Sequence, residues 1–286
     1  MSEDRRRELG AGDEPVEEGL AVSFNRIAHE GAERLHRTVG VMFATGFAGG
    51  LEISLGVIGY LAVDVATGNQ LLAGLAFSIG LIALMLAKSE LFTENFLVPI
   101  IAVAAREARL RRLFKLWGST LLANLVSGWI IMWLVVKGFP EWTSAIVHSA
   151  HTFIDGPYDL QSMALAVLGG SVITLMTRMQ HGTESDVAKI VAAVAAGFLL
   201  AGLPLFHSIL DSLFIFGAIH AGGDINYLQW LVWFAWTVGF NAVGGIILVT
   251  AVRIFRTKDL VRDRRRNSPR NPDSPRGPGE QTESGD

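Results

Sequence analysis

Long stretches without charge restrict the fold of this chain more than any other feature in it. Residues 116–136 and 160–177 hold no charged side chain, and neither do residues 65–87. Residues 38–63 are interrupted only by Glu52. A helix needs about 20 mostly apolar residues to cross a bilayer core, and a charge at its centre costs roughly 2.5–3.5 kcal/mol on insertion scales. The charges crowd instead into the first 37 residues, residues 105–115 and everything beyond 252. Only 18 % of the 286 residues are charged, against about 25 % in soluble domains. The pattern predicts an all-α integral membrane protein in contact with lipid.

Six spans are expected. Residues 65–87 continue past a charged interruption to 95–105, residues 190–210 continue past Asp211 to Ala221, and residues 225–252 close the set. Lys and Arg in short loops set orientation. The connection after the second span carries Arg106, Arg109, Arg111, Arg112 and Lys115, and the C-terminal flank is basic from Arg253 onward. The connection 138–159 has neither Lys nor Arg. This alternation predicts both termini in the cytoplasm; the membrane expected is the plasma membrane, the inner one of a bacterium.

Residues 1–37 are expected as a cytoplasmic segment, 38–257 as the membrane domain and 258–286 as a disordered cytoplasmic tail. Within 15–37, Leu20, Val22, Phe24, Ile27 and Ala28 offer a partial apolar face, suited to a membrane-surface helix or to a solvated one. The net charge of −3 gives no sign of a nucleic-acid partner, and without cysteine there is no thiolate metal site or thiol nucleophile. No phosphate loop, dinucleotide fingerprint or nucleophile elbow occurs, and no cofactor is expected.

The second and fifth spans are broken in the same way. The second is interrupted by K-S-E-L-F-T-E-N (Lys88 to Asn95), the fifth by G-L-P-L-F-H-S-I-L-D (Gly202 to Asp211), where Pro204 cannot continue a regular helix. Leu91-Phe92-Thr93 and Leu205-Phe206-His207 sit at matching places, each in the middle span of a three-span half. Interrupted segments in corresponding positions point to an inverted repeat with a permeation site at its centre. Unwound backbone at membrane depth is tolerated only around protein or a water-filled cavity, and its freed N–H groups face an anion favourably.

The residues E-L-F-T-x-N (Glu90 to Asn95), with F-H-S in the fifth span, resemble the formate/nitrite transporter family over roughly residues 30–257. The resemblance implies a homopentamer of six-span, aquaporin-like protomers, each with its own pore for a small monovalent anion. It further implies Thr93 and His207 facing each other at the pore centre, constrictions at Leu91, Phe92, Leu205 and Phe206, and pore-lining roles for Ser208 and Ser171. The chain departs from the family pattern in carrying Lys88 and Glu94 where small residues are usual, and Asp211 where an asparagine is usual. The family's Glu before the histidine is Phe206 here, and its fourth-span Cys-Asn pair is matched best by Gly170-Ser171.

On chemistry, His207 can exchange a proton with a weak-acid anion near neutral pH, with Thr93 as its partner. Glu90 is expected to anchor the broken loop by accepting backbone N–H bonds. Lys88, as an intramembrane charge, is expected to pair with Glu90, Glu94, Asp211 or Glu52, and Asp211 to steady the imidazole; Asn95 belongs to the same loop-stabilising group. Arg178 and His181 read as vestibule or solvated residues, His148 and His151 as residues of the opposite mouth. Trp230, Trp233 and Trp236 read as interface or lipid-facing anchors. A membrane-embedded metal hydrolase built on His207, Asp211, Glu90 and Glu94 is a competing reading, as is a channel for a neutral or cationic solute.

Overall fold

The computed structural model describes residues 14–267, so the expected tail beyond Asn267 lies outside the described residues. All regular elements among them are helical. A first helix α1 (Glu14–His36) leads into α2 (Val39–Thr67), whose first turn is capped by Thr38. At Gly68 the chain takes the left-handed φ of 62°. Asn69 then caps α3 (Gln70–Ala87) by accepting the Leu72 N–H at 3.1 Å. The second span therefore begins at Gln70, not at Val65, because the turn signal Gly-Asn outweighs the apolar run.

Lys88 ends α3 with φ 56°. A 3₁₀ turn (Phe92–Phe96) and the short α4 (Val98–Ala104) follow. Helix α5 (Leu110–Gly138) already includes Arg111, Arg112 and Lys115, which the sequence reading assigned to a connection. The expected loop 138–159 contains a helix, α6 (Thr143–Ile154), with Ile146 and Ala150 buried. Then come α7 (Leu160–His181), α8 (Asp186–Gly202) and α9 (Ser208–His220). Helix α10 (Tyr227–Arg256) passes through a π-helical stretch at Val243–Ala251. Among the described residues five helices, α2, α3, α5, α7 and α10, are long and apolar enough to cross a membrane. With the pieces on either side of the two breaks, the arrangement accommodates the six expected crossings.

Two expectations about the ends are corrected. The α1 face of Phe24, Ile27 and Ala28 is fully buried against Leu97, Val98 and Ile101 rather than lying on a membrane or in water. Val22 points away and is exposed. Residues 258–267 form α11 (Lys258–Asn267) instead of disordered chain. Val261 joins the same apolar cluster, and Arg264 Nε donates to Glu107 Oε1 at 2.8 Å. Trp233 is also buried, and Trp230 packs on Phe216 and donates to Ser212 Oγ at 2.9 Å. Neither is a lipid-facing anchor, because α6 and α9 cover that side of α10.

Candidate functional site

Both breaks are held by one device, built twice. In the first, the Asn124 side chain of α5 accepts the Phe92 N–H at 2.8 Å. It donates to the carbonyls of Glu90, at 3.0 Å, and Gly46 of α2, at 2.6 Å. In the second, Asn241 of α10 accepts the Ser208 N–H at 2.9 Å and donates to Phe206 O at 2.9 Å and Ala166 O of α7 at 2.7 Å. An asparagine side chain carries two donors and an acceptor on one plane, which suits a turn whose N–H and C=O would otherwise be orphaned.

The parallel extends further. The N–H of Glu90 donates to Thr45 O at 3.3 Å and that of Phe206 to Leu165 O at 3.4 Å. Gly49 and Gly169 lie where any Cβ would collide with the carbonyls of Glu90 and Phe206 respectively. Each turn also carries a carboxylate cap: Glu94 Oε2 accepts the Leu91 N–H at 3.5 Å, and Asp211 Oδ2 accepts the His207 N–H at 2.8 Å. These bonds place Leu91 opposite His207 and Phe92 opposite Ser208. The shared Leu-Phe letters are therefore out of structural register by two residues, and the repeat is carried by the asparagines, which the sequence reading did not single out. Their only sequence signal was an amide deep inside each otherwise apolar span.

The two breaks meet at Thr93 and His207. His207 caps α9, its Nδ1 accepting the Leu210 N–H at 3.1 Å. The ring proton is thereby assigned to Nε2, which donates to Thr93 Oγ1 at 2.8 Å. The threonine keeps its own hydroxyl hydrogen for another acceptor. Both residues are buried.

A vestibule of about 470 Å³ on the α1 side reaches Ser89, Glu90 and Glu94. One of about 340 Å³ on the opposite side reaches Leu205, Phe206 and Asp211. Leu91, Phe92, Thr93 and His207 line neither cavity. Phe92 is edge-on to Phe96 at 5.2 Å and to Trp117 at 6.3 Å, while Phe206 faces Phe153 at 6.0 Å.

Several side chains have partners other than those expected. Glu90 does not accept backbone N–H groups; its carboxylate is bound by Arg37 and lies 3.7 Å from Arg34, both of α1. Asn95 bridges the same pair, accepting from Arg34 at 3.2 Å and donating to Glu90 at 3.5 Å. Lys88 forms no ion pair among the described residues: it is exposed on the α1-side vestibule wall, because ending α3 at that residue turns it out of the helix bundle. Glu52, one of its expected partners, accepts from Ser89 Oγ at 2.9 Å. Asp211 binds the backbone of His207, not its ring. Ser171 Oγ is turned back to Val167 O at 2.8 Å, and Ser208 Oγ is buried without a hydrogen-bond partner among the described residues.

The mouths follow their own logic. On the α1 side Arg34 pairs with Glu30 at 2.5 Å, and Glu30 meets His181 at 3.0 Å. Burial alone would raise Glu30, but the His181 hydrogen bond and the Arg34 charge outweigh it and hold the carboxyl well below the carboxylate range. Opposing charges on Glu90 and Glu30 overcome burial and raise Arg34. Arg178 is exposed. On the far side, His148 lines the vestibule and His151 pairs with Asp155 at 2.9 Å. Among the described residues no three His, Cys, Asp or Glu side chains gather as a metal site.

Comparison with known proteins agrees with this architecture. The chain is 25 % identical over 223 residues to the formate channel FocA of Escherichia coli K12, covering 71 % of this chain and 75 % of that one. Its fold is shared with a solved FNT family ion channel (TM-score 0.72, 18 % identity, 82 % of this chain and 98 % of the other). It is shared too with a pentameric formate channel with formate bound (TM-score 0.66, 19 % identity, 77 % and 98 %). A formate/nitrite transporter family model matches residues 21–255, and the chain belongs to that family of multi-pass membrane proteins.

Proposed function

We propose that residues 38–257 form a pore for a small monovalent weak-acid anion of the formate or nitrite kind, with Thr93 and His207 at its centre. The observation that carries this reading is the 2.8 Å contact between the two side chains, one from each break. The assigned tautomer leaves the Thr93 hydroxyl hydrogen to be offered to an arriving oxyanion, while the buried imidazole, once it has taken a proton from the aqueous side, can pass that proton to it. Passing as the uncharged acid avoids carrying a charge through the apolar collars of Leu91 and Phe92 on one side and Leu205 and Phe206 on the other. The α1 face is the cytoplasmic one in this reading, by the loop charges. The homopentamer is supported by the assembly of the formate-bound relative.

Reconstitution into liposomes tests it. Uptake of formate, nitrite, hydrosulfide and lactate is followed against pH for the native chain and for His207→Ala. At least one anion is expected to move, with a loss on the order of a hundredfold in the variant, the scale of a positioned proton-transfer group. Absence of flux for every anion, or full flux after His207→Ala, refutes the proposal.

A further inference from the structure

Helix α11 carries two stripes. Leu260, Val261 and Arg264 face inward: the two apolar residues join the cluster of Phe24 and Leu97, and Arg264 is bound to Glu107. Lys258, Arg262, Arg265 and Arg266 fall on the other side, at i, i+4, i+7 and i+8, and all four are exposed. The end of α11 lies against the corner between α4 and α5, where Arg265 Nε donates to Ala104 O at 2.5 Å. At that corner Arg106 is exposed, with φ 63°. Glycine adopts this left-handed conformation far more readily than arginine. The corner holds a cation where a glycine would suit the turn better.

Little on the same surface offsets these charges. Residues 104–116 and 252–266 together hold twelve Lys and Arg against three Asp and Glu. Glu107 is engaged by Arg264. Asp259 lies 3.6 Å from Arg262, but both side chains stand largely in solvent, where such a pair has little weight. Large apolar side chains are exposed among the cations. Phe255, at the end of α10, is 76 % exposed, and Lys258 Nζ sits 5.9 Å from the centre of its ring. Leu110 and Phe114, in the first turns of α5, are more than half exposed. Since α5 and α10 are long and apolar enough to cross a membrane, these residues mark the level at which their apolar surface gives way to water. A phosphate group with acyl chains beside it matches this combination. An acidic protein or a nucleic acid would match the cations and leave the apolar collar unused.

We propose that the outer stripe of α11, together with Arg106, is a binding surface for the headgroups of anionic phospholipids in the leaflet on the α1 side. Guanidinium groups take phosphate oxygens in pairs, and the acyl chains run down the apolar collar of Phe255, Leu110 and Phe114. Lys258 combines both roles, with its stem over an aromatic ring and its ammonium group at headgroup level. Each Lys or Arg near a membrane surface raises the affinity for anionic lipid about fivefold. The inner stripe is already spent on α1 and α4, so the outer stripe is what fixes α11 at the membrane surface.

The test titrates the delipidated whole chain with phosphatidylglycerol or with phosphatidylcholine of the same acyl chains, and counts retained lipid by native mass spectrometry. The wild-type chain is expected to prefer phosphatidylglycerol. A triple variant, Arg262→Gln with Arg265→Gln and Arg266→Gln, should lose about a hundredfold in phosphatidylglycerol affinity, about fivefold for each cation, with phosphatidylcholine unchanged. Arg106→Gly, which suits its left-handed turn, should keep the melting temperature and lose about fivefold. Arg178→Gln, at an exposed arginine outside the stripe, should change affinity by less than about twofold. Size-exclusion profiles check assembly. No preference for phosphatidylglycerol in the wild-type chain overturns the inference, as does full retention by both correctly assembled variants. Glycerol phosphate that competes as well as the lipid would make this a site for free phosphate. Polyglutamate that displaces the lipid at equal charge would make it a site for an acidic protein. Either result overturns the assignment to lipid.

Discussion

Replacing Asn124 by leucine, a side chain of similar size without polar atoms, removes three hydrogen bonds at the first break. Gly46 O lies inside α2 and retains its helical partner, so its loss is small, about 0.6 kcal/mol for a typical bond between membrane helices. The Phe92 N–H and the Glu90 carbonyl have no such second partner, and both are buried. Leaving a buried polar group unsatisfied costs about 1–3 kcal/mol, so the variant should lose about 4 kcal/mol. Asn241→Leu orphans the equivalent pair, Ser208 N–H and Phe206 O, and should cost the same within about 1 kcal/mol. Equilibrium unfolding in mixed micelles of rising SDS fraction, followed by the fluorescence of the seven tryptophans, measures both. A loss below about 1 kcal/mol at either site would refute the claim that the breaks hang from these amides. Sites differing by more than about 2 kcal/mol would refute their equivalence.

Two further outcomes are expected. Gly49→Ala and Gly169→Ala each put a methyl group against a break carbonyl; overpacking of this kind costs about 1–3 kcal/mol. Flux should fall together with the melting temperature in both, whereas alanine at Gly118, where a Cβ has open space, should change neither. The docking of α1 should respond to acid through Glu30. Its value is depressed, so it stabilises the docked helix above its ordinary 4.5 and gives that stability up as pH falls below it. Spin-label distances between α1 and α4 should hold constant from about pH 7 to 5 and lengthen only at lower pH, and Glu30→Gln should remove the dependence. Lengthening that is already complete above pH 5 would refute the assignment to Glu30.

The spans and the breaks could be read from the sequence for a common reason, whereas the pairing of Thr93 with His207 was an implication of the family resemblance. A lipid solvent forbids charge and unwound backbone in long stretches, so each exception is conspicuous: Lys88 to Asn95, Pro204, His207. What could not be read were partnerships across the bundle. Glu90 looked like a loop anchor, yet its carboxylate is claimed by Arg34 and Arg37, residues far upstream that pattern alone does not bring near. Lys88 looked buried because it follows an apolar run, but a left-handed residue ends the helix there and turns the side chain outward. The Leu-Phe doublets suggested the repeat for the wrong reason: letters matched, while the geometry is set by Asn124 and Asn241, whose partners are backbone atoms and leave no trace in side-chain identity. Helix α1 was legible as amphipathic, but not what it covers, since an apolar face says only that something must cover it.

The π-helical stretch of α10 gives the two breaks unequal stiffness. Within it Thr250 donates to Phe96 O at 2.6 Å, and Trp117 of α5 donates to Asn95 O at 3.1 Å. With Asn124, the arginines of α1 and the Glu90 N–H bond to Thr45 O of α2, the first turn is thus clamped from four helices. The second rests on Asn241, one bond to α7 and its own cap. In the proposed pore, a plan that is symmetric is therefore expected to be asymmetric in compliance, with displacement at the centre larger on residues 203–207 than on the turn that carries Thr93.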